Sequence, residues 1–544
     1  MVKNFASHWE SLVSTSRGLY LLLVVSTIWK LVLIASVYQK APTADGVIYI
    51  RAAQELMAGN IRDSLALYPM PAFTLLLGII HLLIYDWSLA GKILSCIFTL
   101  LAQIPLYKIT YRWFGPKAAF WATLAFCLQP FANQMSTLIL RGPPFIFFLG
   151  MAVLAMQRAI DSPSGGRVAT AFFFSLLPAL FRIEGIFLIP FFPAIYIYYS
   201  IKDQRFRGQP LMLSTIWMAL MLCLLLYTFF AAPNDQLNFY RFAAVRERAE
   251  QLLTFKFMDT YREIYNQIKS LEPLSPYPTQ NQNFSEIARH FLWLIYLIGA
   301  LQTVVKTLFL PYVIPLFVGL RSSAKSKTKF QHFLFFLLIL YFLILYLSLI
   351  ATDFVNRRFV WGIAYLLYPW VGKGMDVLLE SIRRKRLSTL LWQAPLALLF
   401  FFTPLTGYPK IFRCPDQVSL LSGKWISQAD CPRLRIIGND YRIPLAAGFR
   451  FYLDNRPDNP YLDFRPSKTR DFSAQDYSRL EKIALNQGYN LIALKIRHKK
   501  SATIPRFVHF QLVKTFRGKK KTVYLFASRE IIKKCFREQE DPRQ

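Results

Sequence analysis

Apolar runs alternate with short basic clusters along most of this chain. The longer runs are roughly long enough, at 1.5 Å of helical rise per residue, to cross a hydrocarbon core of about 30 Å, and several others are shorter and end in polar or proline-containing turns. They fall at about 19–38, 89–107, 118–135, 145–156, 168–180, 186–199, 212–230, 304–320, 333–350, 359–372 and 390–402. The pattern predicts about eleven transmembrane helices. Five intervening gaps carry cationic clusters, from Lys108, Arg112 and Lys117 in the first to Arg383, Arg384, Lys385 and Arg386 in the last. Basic loops stay on the cytoplasmic side, so these five gaps are expected there. The mildly basic segment before residue 18 then puts the N-terminus in the cytoplasm, and an odd number of spans puts everything after Gly407 on the far side.

One run breaks the rhythm. Residues 71–85 are too few for a comfortable span, and letting them cross would invert every later charge cluster. They are expected to lie at the outer surface as an interfacial helix. The same external loop holds a second amphipathic segment, where Ile48, Ala52 and Leu56 recur at helical spacing and Gly59 and Asn60 close the turn. Beyond Gly407 the pattern becomes that of a soluble α/β domain. Strands are expected at 434–437, 491–495 and 522–527, and a helix at 474–486. The fold class is therefore mainly α: a polytopic helical bundle over 1–406 and a small extracytoplasmic α/β domain over 407–544.

Composition sharpens this picture. The 544 residues are 54% hydrophobic and 16% aromatic, with a mean hydropathy of +0.31, too apolar for one soluble core. The net charge of +33 sits in loops and in the C-terminal region, which holds 28 Lys and Arg against 13 Asp and Glu. That excess favours phosphate-bearing surfaces. Nucleic acid is not expected as a partner, because no basic recognition motif is present. Of six cysteines, Cys96, Cys127 and Cys223 lie in apolar runs as small hydrophobes. Cys414 and Cys431 flank a polar stretch, and a bridge between them is open if that region meets an oxidising compartment. No zinc spacing, phosphate-binding loop, dinucleotide glycine cluster or paired histidines on a helix occurs.

The candidate chemistry is acidic at one place and cationic at several. Asp45 lies just past the first run, in a loop that stays near the bilayer, where it is either a helix cap or a base. Glu55 and Tyr68 share its loop. Arg141, Arg182, Arg357 and Arg358 fall at the outer ends of spans, against the charge trend, and a lipid phosphate is a partner that suits them. Glu184, two residues from Arg182, is expected as its ion-pair partner or as a ligand for an acceptor or metal. Lys30 sits inside the first run, where an unpaired ammonium costs roughly 3 kcal/mol or more. It either faces a cavity or snorkels along a tilted helix.

The order Asp45-Gly46-x-x-Tyr49, Tyr68-Pro69-Met70-Pro71, Tyr111-Arg112-Trp113-Phe114-Gly115, Arg182-Ile183-Glu184-Gly185 and Asn356-Arg357-Arg358-Phe359 resembles the GT-C glycosyltransferases. The similarity is to the branch containing protein O-mannosyltransferases and lipid A aminoarabinose transferases, and it runs from about residue 18 to 374. It implies a polyprenyl-phosphate sugar donor, a glycan, lipid or protein acceptor, an active site facing away from the cytoplasm, and Asp45 as the catalytic carboxylate. Arg357 and Arg358, with Arg182 and Lys30, would hold the phosphate; Glu55, Tyr68, Arg141 and Glu184 would bind substrate or support the site. The family often carries a second carboxylate just after an Arg at the start of the fourth span. Here the residues are Arg141-Gly142-Pro143, so no metal ligand is assigned and a divalent ion remains only a possible cofactor. The resemblance places the chain in a cell envelope, as a multi-pass protein of a bacterial inner membrane. A transporter or flippase for a lipid-linked anion is the alternative. It predicts internal repeats with broken helices, and no repeat is visible.

Overall fold

The computed structural model describes residues 17–226, 246–384 and 408–536, apart from 248–249, 252–253, 271–277, 325–327, 409–410, 412–416, 430, 432, 454–455, 457–458, 465–471, 498–504 and 519. The expected span at 390–402, the end of that at 212–230 and Cys414 lie outside the described residues. The chain packs as two compact units. The first comprises 1–33, 95–137 and 141–410; the second comprises 34–94, 138–140 and 411–544. The first external loop therefore packs with the C-terminal region, across the order of the 1–406 and 407–544 modules read from composition.

The first unit is helical. Five helices in the described chain are long and apolar enough to cross a membrane: Arg17–Ser36, Trp87–Phe114, Gly142–Asp161, Ile183–Lys202 and Lys329–Thr352. Two bent pairs raise the number to seven if each is one span. Several other expected spans are shorter helices interrupted by proline, so eleven full crossings do not follow from helix length. The run expected at 304–320 is a clear correction. It is two helices, Leu292–Leu308 and Val313–Ser323, separated at Phe309 with φ 88° and a single 3-10 turn, Leu310–Tyr312. Pro311 disfavours α geometry at the residue before it and lacks the amide that would continue the ladder. The helix Val313–Ser323 packs on Arg357–Arg384 at backbone contact. A Cβ on Gly319 would run into the Trp370 carbonyl, and one on Gly374 into the Pro315 carbonyl, as at small-residue helix crossings in membranes.

The second unit is built on a five-stranded sheet of order β2-β1-β3-β5-β4. Strands β1 (Ile436–Gly438), β2 (Tyr461–Asp463) and β3 (Leu491–Arg497) are parallel; β4 (Phe510–Arg517) and β5 (Lys521–Ser528) are antiparallel to each other, and β5 to β3. The expected helix is present at Ala474–Asn486, opened by a capping box between Ser473 and Asp476. β2 and β4 were not expected. β2 is three residues long, and β4 is an edge strand with half of its residues exposed and one buried, so neither carries a strong apolar signature. Cys431 is bonded to Cys535, not to Cys414. The bridge spans 104 residues and ties the chain end to the segment before β1, a pairing that sequence proximity did not suggest.

The core of this sheet domain takes a residue from far away in sequence. Val47, fully buried, packs with Val418, Ile436, Tyr441, Phe451 and Tyr461. At the carboxyl end of β1, Asp440 accepts hydrogen bonds from Ser419 Oγ (2.7 Å), Lys495 Nζ (3.0 Å) and the Arg442 guanidinium (2.6 and 2.7 Å). Burial alone would push the Asp440 carboxyl up. The hydrogen bonds and charge of Arg442, with Lys495 and Ser419, outweigh it and hold the carboxyl well below the usual carboxylate range. A carboxyl depressed in the folded state stabilises fully above its unfolded pKa of about 4 and loses that contribution as pH falls toward the folded value. Thermal melts of the detergent-purified protein should therefore show a stability loss below about pH 4, and Asp440→Asn should flatten that slope. At neutral pH the substitution should cost about 3 kcal/mol, because it leaves two part-buried cations short of their buried counter-ion.

Candidate active site

The helix Ala44–Met57 carries Asp45, and its ends show why it forms where it does. Thr43 is the N-cap, its hydroxyl accepting from the Gly46 amide at 3.1 Å. Asp45 is therefore not the cap. It sits half-buried in the first helical turn, where a carboxylate is favoured by the helix dipole. At the other end Gly59 takes φ 82°, the Asn60 amide donates to the Glu55 carbonyl and the Gly59 amide to the Leu56 carbonyl, the bonding of a Schellman stop. Two further contacts fix the Asp45 turn. A Cβ on Gly46 would press on Ile139, so the helix start lies close against that residue. Lys92, buried in the helix Trp87–Leu101, donates to the carbonyls of Val37 (3.1 Å), Tyr38 (2.8 Å) and Lys40 (2.9 Å). Lys92 thus clamps the end of the first helix and the stretch of chain leading to Asp45, a cation meeting carbonyls at a helix C-terminus.

Glu55 and Tyr68 are both buried. The Glu55 carboxylate is held by Arg51 and by Asn60 Nδ2 at 2.7 Å, and Arg51 Nε reaches the Phe451 carbonyl at 3.3 Å. Tyr68 packs edge-on against Tyr49, centroids 4.8 Å apart. Arg51, held by Glu55 on the same helix, thus joins the Asp45 helix to the sheet domain.

In the first unit the structure brings the Arg182 and Asn356 motifs together. Arg182 makes a two-point pair with Glu184, at 3.2 and 2.5 Å, and its guanidinium lies over the rings of Phe145 (5.7 Å) and Phe359 (5.0 Å). Glu184 is the ion-pair partner, the first of the two roles open to it. Gly185 is required here, since a Cβ would collide with the backbone at Pro178 and Ala179. Arg141 donates to the Phe181 carbonyl at 3.3 Å. Asn356 Oδ1 accepts from the Arg358 amide at 3.1 Å and so caps the helix Arg357–Arg384. Arg357 donates to the Lys306 carbonyl at 2.6 Å and lies 4.4 Å over Phe131. Arg358 is half-buried. Lys30 neither snorkels nor opens on a cavity wall. Its ammonium donates to Asn133 Oδ1 at 2.8 Å, and Asn133 Nδ2 donates to the Cys127 carbonyl and the Tyr408 hydroxyl, each at 2.7 Å.

The sequence reading missed Lys92, Arg51 and Asn133. Lys92, like Lys30, was visible as a lone charge in an apolar helix, whereas nothing in the sequence paired Arg51 with Phe451.

No family model matches the sequence, and no curated protein matches it. Solved structures do. A crystal structure of the Archaeoglobus fulgidus oligosaccharyltransferase with Zn and sulfate matches with a TM-score of 0.56 at 13% identity, over 87% of this chain and 68% of that one. ArnT from Cupriavidus metallidurans bound to undecaprenyl phosphate matches with a TM-score of 0.51 at 12% identity, over 94% of this chain and 98% of that one. Its apo form gives 0.53. The chain has the GT-C fold. Both neighbours are GT-C proteins, and the ArnT match runs through nearly the whole of both chains, C-terminal region included. Among the described residues no three His, Cys, Asp or Glu side chains gather as a GT-C metal site would require. The segment Arg141-Gly142-Pro143 supplies no carboxylate, so the described residues do not fit a bound metal.

Replacing Lys92 by Met removes the ammonium donor from three backbone carbonyls, of which Val37 keeps the Lys40 amide. It should lower stability by about 2–4 kcal/mol, on the scale of charged hydrogen bonds with an unsatisfied remainder, read as a drop in the midpoint of thermal unfolding. An unchanged midpoint would contradict the clamp.

Proposed function

We propose that this chain is a membrane glycosyltransferase that moves a sugar from a polyprenyl-phosphate donor to a hydroxyl of a glycan, lipid or protein acceptor, with inversion at the anomeric carbon. The observation that carries the reading is the GT-C fold, matched over 94% of this chain by a protein crystallised with undecaprenyl phosphate. Asp45 acts as general base and takes the proton of the acceptor hydroxyl. The acceptor oxygen forms a bond to the anomeric carbon as the bond from that carbon to the phosphate oxygen breaks, and the polyprenyl phosphate leaves with the electron pair. Cations stabilise the charge that grows on the leaving phosphate. Arg357 and Arg358 take that role, with Arg141 and Arg182 as supporting cations, and Glu55, Tyr68 and Glu184 hold the framework; Lys30, buried against Asn133, has no part in it.

The reading places a catalytic module at 1–406 in a bacterial inner membrane, with its N-terminus in the cytoplasm and the 407–544 domain outside. The Cys431–Cys535 bridge supports an oxidising compartment for that domain. The helix Pro71–Leu83 supports an interfacial position for the first loop: 13 residues rise about 20 Å, less than a bilayer core. Its residues Leu75, Ile79, Leu82 and Leu83 are exposed on one stripe, as a lipid-facing side needs.

Purified protein incubated with a panel of polyprenyl-phosphate sugars should release the free lipid phosphate. Asp45→Asn should slow release by roughly 10²–10⁴-fold while donor affinity holds, and Arg358→Gln should cost about 2–4 kcal/mol of transition-state stabilisation. Movement of intact donor across vesicles with no release from any member of the panel would instead identify a transporter.

A further inference from the structure

A pocket of about 300 Å³ opens in the second unit, lined by Arg51, Gln54, Glu55, Trp87, Phe449 and Arg450 among others. It lies at the far end of the helix whose first turn holds Asp45. Its walls are set before any ligand arrives. The buried Arg51–Glu55 pair forms one side, and Asn60 Nδ2 takes the remaining Glu55 oxygen at 2.7 Å. Arg51 Nε bonds the Phe451 carbonyl, which fixes the 448–451 turn against the helix. Gly448 adopts φ 79°, a conformation open to glycine, and the residues that follow it, Phe449 and Arg450, line the opening. Trp87 is locked by stacking on His81, ring centroids 3.6 Å apart and planes within 15°.

The chemistry of the lining is specific. Trp87 and Phe449 offer apolar ring surface, Gln54 a half-buried side-chain amide, and Arg450 an exposed guanidinium. Arg51 and Glu55 cancel each other, so Arg450 gives the pocket a net positive charge. Aromatic surface for the carbon–hydrogen face of a ring, an amide for hydroxyls and a fork of N–H donors for an anion together suit a sugar bearing a phosphate or carboxylate. A lipid tail would meet too many polar groups here, and a bare anion would leave the rings unused.

The geometry points to an acceptor subsite for an anionic glycan in this pocket. The inference rests on the transferase reading and adds to it the class of acceptor. Asp45 and Glu55 are ten residues apart on one helix, about 15 Å along its axis. An acceptor that occupies the pocket and presents a hydroxyl to Asp45 is therefore extended, longer than one sugar ring.

The test is binding without donor. Glucose, glucose 6-phosphate and glucuronic acid are titrated into the full-length protein in detergent and followed by saturation-transfer NMR. The two anionic sugars should bind at least fivefold more tightly than glucose. Arg450→Gln should remove that preference, Trp87→Ala should weaken all three, and Trp87→Phe should restore part of the loss; each variant is compared with wild type by thermal unfolding. Equal binding of the three sugars, no detectable binding of any, or binding indifferent to Trp87 and Arg450 would overturn the subsite. Because no donor is present, lost sugar binding with intact lipid-phosphate release would sink this inference alone. Sugar binding without any release would sink the transferase reading instead.

Discussion

The burial of one face of the Asp45 helix in the core of the C-terminal sheet domain is the constraint on which the rest of this structure depends. Val47 has no exposed surface and contributes to the same apolar cluster as Ile436, Tyr441, Phe451 and Tyr461, residues some four hundred positions later in the chain. Four residues on from it, Arg51 directs its guanidinium to Glu55, Gln54 and the Phe451 carbonyl. Apolar burial of this kind supplies the driving force, and the buried ion pair supplies register. The half-buried carboxylate of Asp45 follows from the helix being fixed on one side by the domain and at its start by Thr43, Ile139 and the Lys92 clamp.

On the proposed reading, this arrangement gives the C-terminal domain a part in the chemistry even though it carries none of the proposed reacting groups. A base must be held within about 0.5 Å of its working position to be effective, and a loop helix at a membrane surface is not rigid by itself. Packing the helix into a folded domain removes that freedom. The same packing shapes the pocket at the end of the helix, so the proposed positioning of the base and the proposed recognition of an extended acceptor would have one structural origin. In the helical unit the cations are handled differently: Arg182 is compensated by Glu184, whereas Arg357 is held by a carbonyl and a ring face.

Much of this was legible in the sequence, and the parts that were not share a cause. The helix over 44–57 announced itself through Ile48, Ala52, Leu56 and Gly59, the helix at 474–486 and strands β3 and β5 through strong local periodicity. The motif order gave the GT-C fold, which the solved neighbours bear out. The proline at 311 was visible, but its effect on an apolar run was underestimated because hydropathy does not register a lost amide. Partners distant in sequence left no trace: Cys535 for Cys431, Asn133 for Lys30, Phe451 for Arg51. A lone charge in an apolar helix signals that a partner exists without saying which one. The short strand β2 and the exposed edge strand β4 lack the buried apolar alternation by which a strand is recognised.

Hydrogen–deuterium exchange on the full-length protein tests the central packing claim most directly, comparing amides of 47–57 with those of β1 and β3 in wild type and in Val47→Ala. If the helix and the sheet form one folded body, their amides should exchange with similar protection, and the substitution should raise exchange in both segments together. Rapid exchange of 47–57 beside a protected sheet, or a Val47→Ala effect confined to the helix, would contradict the account.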